Sequence, residues 1–221
     1  MIPLFHDFRG ERVLVFGGGR VGYRKARRFA REAEVVVVAA RFADEFEPRS
    51  EKEGDERPPL SLVKARIDPA EVGTWLDGAA PALVVAATDD AALNEAVERA
   101  ASERGVLVNR TDEHGGRDAG SVVVPATVRD GNVVVAVGTG GRSPALSREL
   151  RRRIEPELAG AETVAAVTAE LREELKRQGL PAETRRNAVR AAVESDAVWS
   201  AENEERAREE ATEIAERVLD D

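Results

Sequence analysis

Cysteine is absent from the 221 residues. That excludes a disulfide framework, a thiolate zinc site and a cysteine nucleophile. Histidine is nearly absent too, with only His6 and His114, so no dedicated metal site is expected. No apolar run is longer than a strand and no charged-then-apolar leader opens the chain, which predicts no membrane span and no signal peptide and points to the cytoplasm. Lysine occurs only at Lys25, Lys52, Lys64 and Lys176, and arginine supplies the other cations. With a net charge of −9, this balance argues against nucleic-acid binding. It suits a cytoplasm of high salt, where surface charge is screened. There is no internal repeat and no low-complexity linker. The hydrophobic content of 42% is enough to bury a core in one large or two modest domains.

Against these absences stands one pattern with a physical mechanism. A strand-like run from Glu11 to Phe16 passes into Gly17, Gly18, Gly19, Arg20, Val21 and Gly22, followed by a helical segment to Ala30. Glycines at the first, third and sixth positions let the chain turn sharply, let its backbone approach a pyrophosphate, and let the helix pack close to its strand. Backbone N–H groups at the helix N-terminus then face the phosphates. The pattern predicts a dinucleotide pocket. The acid usually found about 20 residues on, at the end of the second strand, is missing: Glu34 to Ala39 is followed by Ala40 and Arg41, and the next acid is Asp44. Arg41 suits a 2′-phosphate or is a solvated loop arginine, so these residues leave NAD and NADP open.

Alternating strands and helices predict a doubly wound parallel sheet. A helix remnant and loop follow from Asp44 to Pro59, then strands at Leu60 to Lys64, Ala82 to Ala86 and Val106 to Asn109. A helix from Ala91 to Arg104 is capped by Asp90 or Thr88. The pattern then changes. Ser121 to Val128 and Asn132 to Val137 flank Arg129, Asp130 and Gly131, a hairpin signal. Its strands are apolar on both faces and call for cover, expected from a partner sheet in a second subunit. Ser143 and Pro144 open a helix to about Leu158. Val164, Val167, Leu171 and Leu175 share one face of the next helix, and two more helices are expected at Ala182 to Glu194 and Asp196 to Leu219. The expected domains are a Rossmann domain over 1–113, a dimerisation region over 114–147 and a helical domain over 148–221.

Ligands of such sheets bind beyond the C-terminal strand ends. Thr88, Asp89 and Asp90 fall there, as do Asn109, Arg110, Thr111 and Asp112. Asp112 is placed as a general base beside the nicotinamide end of the cofactor, or caps a turn. His114 lies in a glycine-rich loop where a lone histidine is more often bland than catalytic. The loop of Gly138, Thr139, Gly140, Gly141, Arg142 and Ser143 brings backbone N–H groups to a helix N-terminus and suits an anion. Arg142, Arg148, Arg151, Arg152 and Arg153 then crowd one region, as a solvated face paired with Glu149 and Glu155 or as a site for a polyanion.

Laid out together, these residues resemble the precorrin-2 dehydrogenase family, including the dehydrogenase/ferrochelatase part of siroheme synthases. The likeness runs from Ile2 to Glu155. It is carried in order by Ile2 to Phe5, Gly17 to Lys25, Val84 to Asp90 with Asn94, Val108 to Asp112, Val124 to Ala126, and Thr139 to Leu146. The resemblance implies NAD as hydride acceptor, precorrin-2 as substrate, sirohydrochlorin as product and a homodimer; bifunctional members also insert Fe2+. The family's catalytic aspartate falls on Asp112. Gly17, Gly18, Gly19, Arg20, Val21, Gly22, Ala40, Arg41, Thr88 and Asp89 fall at the cofactor. Asn109, His114, Thr139, Gly140, Gly141, Arg142 and Ser143 fall at the substrate, whose carboxylates give the arginines a target. Any iron is expected to bind transiently, mainly through the tetrapyrrole nitrogens. The loop from Asp112 to Pro125 departs from the family in length. A non-catalytic NAD(H)-sensing dimer and a dehydrogenase of another carboxylate are the competing readings.

Overall fold

The computed structural model describes residues 2–47, 60–112 and 121–220. Contacts divide the chain into two compact units, Met1–Val124 and Pro125–Asp221.

The first unit holds strands β1 (Arg12–Phe16), β2 (Glu34–Ala39), β3 (Ser61–Lys64), β4 (Leu83–Ala86) and β5 (Leu107–Arg110) in the order β3-β2-β1-β4-β5, all parallel. β1 and β4 are apolar on both faces because helices cover both faces of a parallel sheet. Helix α1 (Arg20–Phe29) packs on one face over Val13, Val15, Val35 and Val37. Helices α2 (Val72–Ala79) and α3 (Ala91–Glu103) pack on the other over Leu14, Phe16, Val84 and Ala86. The Rossmann expectation holds. Of the expected helix remnant after β2, a 3-10 turn at Asp44–Phe46 lies within the described residues. Helix α2 was not expected, although Asp68 accepts from Ala70 N at 2.9 Å and Glu71 accepts from Asp68 N at 3.2 Å. That reciprocal cap, with Pro69 between, is a start signal present in the sequence.

In the second unit, β6 (Ala126–Asp130) and β7 (Val133–Val137) form an antiparallel hairpin turning at Gly131 and Asn132. The turn is therefore shorter than Arg129 to Gly131 suggested, with Gly131 at φ 52°. The first hairpin strand also begins later than Ser121. Val122 N instead donates to Val108 O at 2.7 Å, and Asn109 Nδ2 donates to Val122 O at 2.7 Å, so residues 121 and 122 line the edge of β5. Pro125 has no N–H to continue a ladder.

Helix α4 (Pro144–Glu157) packs on both hairpin strands and α5 (Ala161–Arg177) on β7. Part of the cover expected from a partner sheet thus comes from the chain itself. The hairpin turn is pinned to α5: Asn132 N donates to Glu162 Oε2 at 2.6 Å and Glu162 N donates to Asp130 Oδ2 at 3.0 Å. Val164, Val167, Leu171 and Leu175 are buried on one face of α5, as their spacing predicts. They meet α6 (Ala182–Val193), α7 (Asp196–Trp199) and α8 (Glu204–Asp220). The single helix expected from Asp196 to Leu219 is broken. Ser200 closes the first turn onto Asp196 O, and Asn203 Oδ1 accepts from Arg206 N at 2.9 Å to cap a new helix.

Candidate functional site

The glycine loop is built as its spacing requires. Gly17 has φ 125°, in the left-handed region, and a Cβ there would stand 2.2 Å from Ala87 O. A Cβ on Gly18 would stand 2.2 Å from Arg41 O, and one on Gly22 2.0 Å from Gly17 O. Gly19 differs: among the described residues nothing lies within 4 Å of where its Cβ would be. The space beside it is open at the mouth of α1. Gly19, the N-cap of α1, has no side chain to cap it, and the helix's first turn carries no acid. Unpaired amide donors beside an open glycine make a cradle for a pyrophosphate.

This loop opens onto a cleft of about 830 Å³, a size that suits a small ligand or cofactor. Of the residues expected at the cofactor, Gly17, Gly18, Gly19, Arg20, Val21, Ala40, Arg41, Thr88 and Asp89 line it, together with Asp112. Gly22 stands behind the loop and holds α1 to it. Arg20 Nε is paired with Glu45 Oε1 at 2.8 Å. The cleft walls divide by charge. Arg41 and Arg66 come from beyond β2 and β3, while Asp89, Asp90 and Asp112 come from beyond β4 and β5. A nicotinamide dinucleotide fits this cleft.

At its β4 and β5 wall the side chains form one network. Asp90 Oδ1 caps α3, accepting from Ala92 N at 2.9 Å and Leu93 N at 3.1 Å. Thr88 does not cap; its hydroxyl donates to Asn94 Oδ1 at 2.7 Å, and Asn94 Nδ2 donates to Thr88 O at 3.1 Å. Asn94 is 1% exposed and also hydrogen-bonds Asp112. Arg110 grips Asp112 with two donors, Nε at 3.2 Å and Nη2 at 2.8 Å, and reaches Glu98 with Nη1 at 2.8 Å. The Arg110 hydrogen bonds hold the Asp112 carboxyl below the usual carboxylate range, with help from Asn94 and against the desolvation of partial burial.

Arg110 and Glu98 were not singled out as partners of Asp112. Residues 110 and 112 point to the same side of an extended chain, so half of this pairing was readable. Glu98 comes from α3 and only the fold brings it near. Breaking the network should be costly: Arg110→Gln leaves two carboxylates without their cation and is expected to lower stability by about 3 kcal/mol, measured by urea unfolding. The sign with pH follows. The lowered Asp112 pKa contributes stability that is fully present above the ordinary carboxylate range and is lost as pH falls through the lowered value. Wild type should therefore keep this increment to more acidic pH than Arg110→Gln. Equal acid sensitivity of the two would refute the assignment.

Asn109, expected at the substrate, is 2% exposed, ties down Val122 and does not line the cleft. Its Oδ1 has no partner among the described residues. His114 lies outside the described residues. Thr139, Gly140, Gly141, Arg142 and Ser143 belong to the second unit. There Thr139 Oγ1 donates to Ser143 O at 3.1 Å and stands 3.0 Å from Ser147 Oγ, while Ser143 Oγ caps α4 through Leu146 N at 3.2 Å. The threonine thus shapes the loop. Arg152 and Arg153 both pair with Glu149, and Arg151 with Glu155. Arg142 and Arg148 are exposed and have no ion-pair partner among the described residues.

The fold and cleft define an α/β protein that binds a nicotinamide dinucleotide, and residues 4–126 match the family described as putative NAD(P)-binding. The chain is 31% identical to precorrin-2 dehydrogenase of Methanosarcina barkeri, over 99% of this chain and 95% of that protein. It is 35% identical to siroheme synthase of Azotobacter vinelandii over 80% of its own length, which spans 35% of that longer protein. The structure of SirC, a precorrin-2 dehydrogenase, matches with a TM-score of 0.69 at 20% identity, covering 98% of this chain and 100% of that one; the fold is shared. The chain belongs to the precorrin-2 dehydrogenase family, NAD-dependent oxidoreductases of siroheme biosynthesis. No helix among the described residues is long and apolar enough to cross a membrane.

Proposed function

We propose that the chain works as a cytoplasmic homodimer that takes one hydride and one proton from precorrin-2 to give sirohydrochlorin. One observation carries this reading: an ionised aspartate, Asp112, held by Arg110 and Asn94 on the wall of the dinucleotide cleft formed beyond β4 and β5. When bound, NAD accepts the hydride. Asp112 accepts the proton that leaves as the hydride departs, and Arg110 and Asn94 keep its carboxylate oriented and charged until then. Gly18 and Gly19 present backbone donors to the pyrophosphate, while Gly17 N is engaged with Val38 O. The loop from Thr139 to Ser143, with Arg142 and Arg148, meets substrate carboxylates. Asn109 acts by holding Val122 against β5.

The homodimer is supported by the hairpin, most of whose valines stay half-buried even under α4 and α5, and by α4, which has no buried residue. Faces of this kind gain by pairing with a second copy. A monomeric mass in sedimentation equilibrium would refute it. Ferrochelation is the second reading, favoured by the same ionised carboxylate, which suits removal of the protons that Fe2+ displaces from the ring nitrogens. In this reading iron binds transiently, mainly through the tetrapyrrole nitrogens. Stoichiometric iron kept through purification without tetrapyrrole would contradict this. The test of the main reading is anaerobic conversion of precorrin-2 with NAD. Sirohydrochlorin and NADH should appear in equal amounts, and no conversion by folded protein overturns the reading.

A further inference from the structure

A groove of about 600 Å³ between α5 and α6 gathers cations in a chain whose net charge is −9. Arg172 and Lys176, one turn apart, line it from α5, and Arg185, Arg186 and Arg190 line it from α6. An apolar strip accompanies them. Val189 packs against the core of the bundle, and Val193 is 40% exposed. Trp199 of α7 stands at the same end of α6, where its indole Nε1 donates to Val193 O at 2.8 Å and its ring stays exposed.

On the neighbouring helices arginine is mostly matched to acid. Arg151, Arg152 and Arg153 on α4, and Arg206 and Arg208 on α8, all pair with glutamates. Arg177 at the end of α5 pairs with Glu174. In the groove, Arg172, Arg185, Arg186 and Arg190 have no ion pair and no side-chain hydrogen bond among the described residues. Its two acids do not change this: Glu173 is paired with Lys176 at 3.3 Å, and Glu194 is the residue that closes α6 at the far end.

This composition selects the ligand. Unmatched guanidinium groups spread over about three turns of helix call for several carboxylates in a row, and the strip of Val189, Val193 and Trp199 calls for apolar side chains in the same ligand. A free anion meets one arginine and leaves the strip bare. Nucleic acid is repelled by the acidic remainder of the chain. An acidic amphipathic helix supplies both features, and helix-in-groove docking is a common recognition mode. Arginine and tryptophan are also the side chains that carry most energy at protein interfaces. From this arrangement we infer that the α5–α6 groove is the docking site for an acidic, amphipathic helical segment of a partner protein. The inference goes beyond the dehydrogenase reading and does not depend on it.

The experiment is a fluorescence anisotropy titration of the full chain against a labelled helical peptide of glutamate and leucine, about 20 residues long, with its leucines on one face. The peptide should bind, and rising salt should weaken it. A peptide of the same composition, scrambled so that the leucine face is lost, should bind at least about tenfold more weakly, as should one with lysine in place of glutamate. Arg186→Ser combined with Arg190→Ser should cost about tenfold or more, with circular dichroism confirming the fold. Arg206→Ser, which removes a paired arginine of α8, should leave binding unchanged. Absence of binding, or binding that survives in the double variant, overturns the inference. Equal binding of the scrambled peptide or of a DNA oligonucleotide of the same charge would also overturn it, by showing an unselective polyanion surface. A smaller mass of the double variant in sedimentation equilibrium would give the groove to a second copy of the chain and overturn it too. Each of these results leaves the dinucleotide cleft standing, because that cleft belongs to the other unit.

Discussion

Asp112→Asn is expected to cut turnover of precorrin-2 by about 10²- to 10⁴-fold, the usual contribution of a positioned general base, while NAD affinity stays within about twofold. The amide keeps the size of the carboxylate and still accepts from Arg110 through its oxygen, but it takes no proton. It also presents an NH2 to one arginine donor, so some loss of stability accompanies the kinetic effect. The decisive readout is therefore the split: kcat falls, and dinucleotide binding measured without substrate does not. A pH profile adds a second check. Because Arg110 holds the Asp112 carboxyl below the usual carboxylate range, the acid limb of kcat/KM lies below that range in wild type and rises toward it in Arg110→Gln. A variant with wild-type turnover would remove Asp112 from the chemistry and favour a protein that senses NAD(H) without reacting.

Two glycine substitutions separate the loop's structural role from its binding role. Gly22→Ala puts a Cβ 2.0 Å from Gly17 O, a backbone atom that cannot step aside. Overpacking of this kind costs about 1–3 kcal/mol, more than alanine's helical advantage of about 1 kcal/mol returns. Helix α1 must shift from β1, taking its amide donors with it. The expected outcome is a lower melting temperature together with at least about a tenfold rise in the Kd for NAD. Gly19→Ala has the opposite profile. Its Cβ meets no atom of the described residues within 4 Å, and Gly19 has an ordinary φ of −82°. Stability should stay within about 0.5 kcal/mol, while NAD binding weakens because the methyl enters space left for the pyrophosphate. Tight NAD binding by a folded Gly19→Ala protein would show that the phosphates lie elsewhere.

The contrast between these two positions shows where sequence reasoning stops. The spacing of Gly17, Gly19 and Gly22 after a strand named the loop and its ligand class, because each glycine answers a local backbone demand. Which glycine packs against protein and which faces a ligand depends on Ala87, Arg41 and the cleft, all brought from elsewhere. The same division runs through Asp112. Its place just past β5 was legible, since strand ends carry the chemistry of doubly wound sheets. Its charge state was legible only in part: Arg110, which chiefly lowers its pKa, stands two residues away, whereas Asn94, which adds to that hold, arrives from α3. Asn109 misled for a related reason: a polar residue on a strand reads as a site residue, and only burial reveals it as a clamp.

Local rules thus determined the parallel sheet, the glycine loop, the helix caps at Asp90 and Ser143 and the apolar face of α5, because each depends on residues within a few positions of one another. The late start of the hairpin, the tie of Asn109 to Val122 and the reach of Arg110 to Glu98 were decided by tertiary structure. Each of these depends on which backbone or charge a distant segment sets beside the residue, and a linear pattern holds no record of that neighbour.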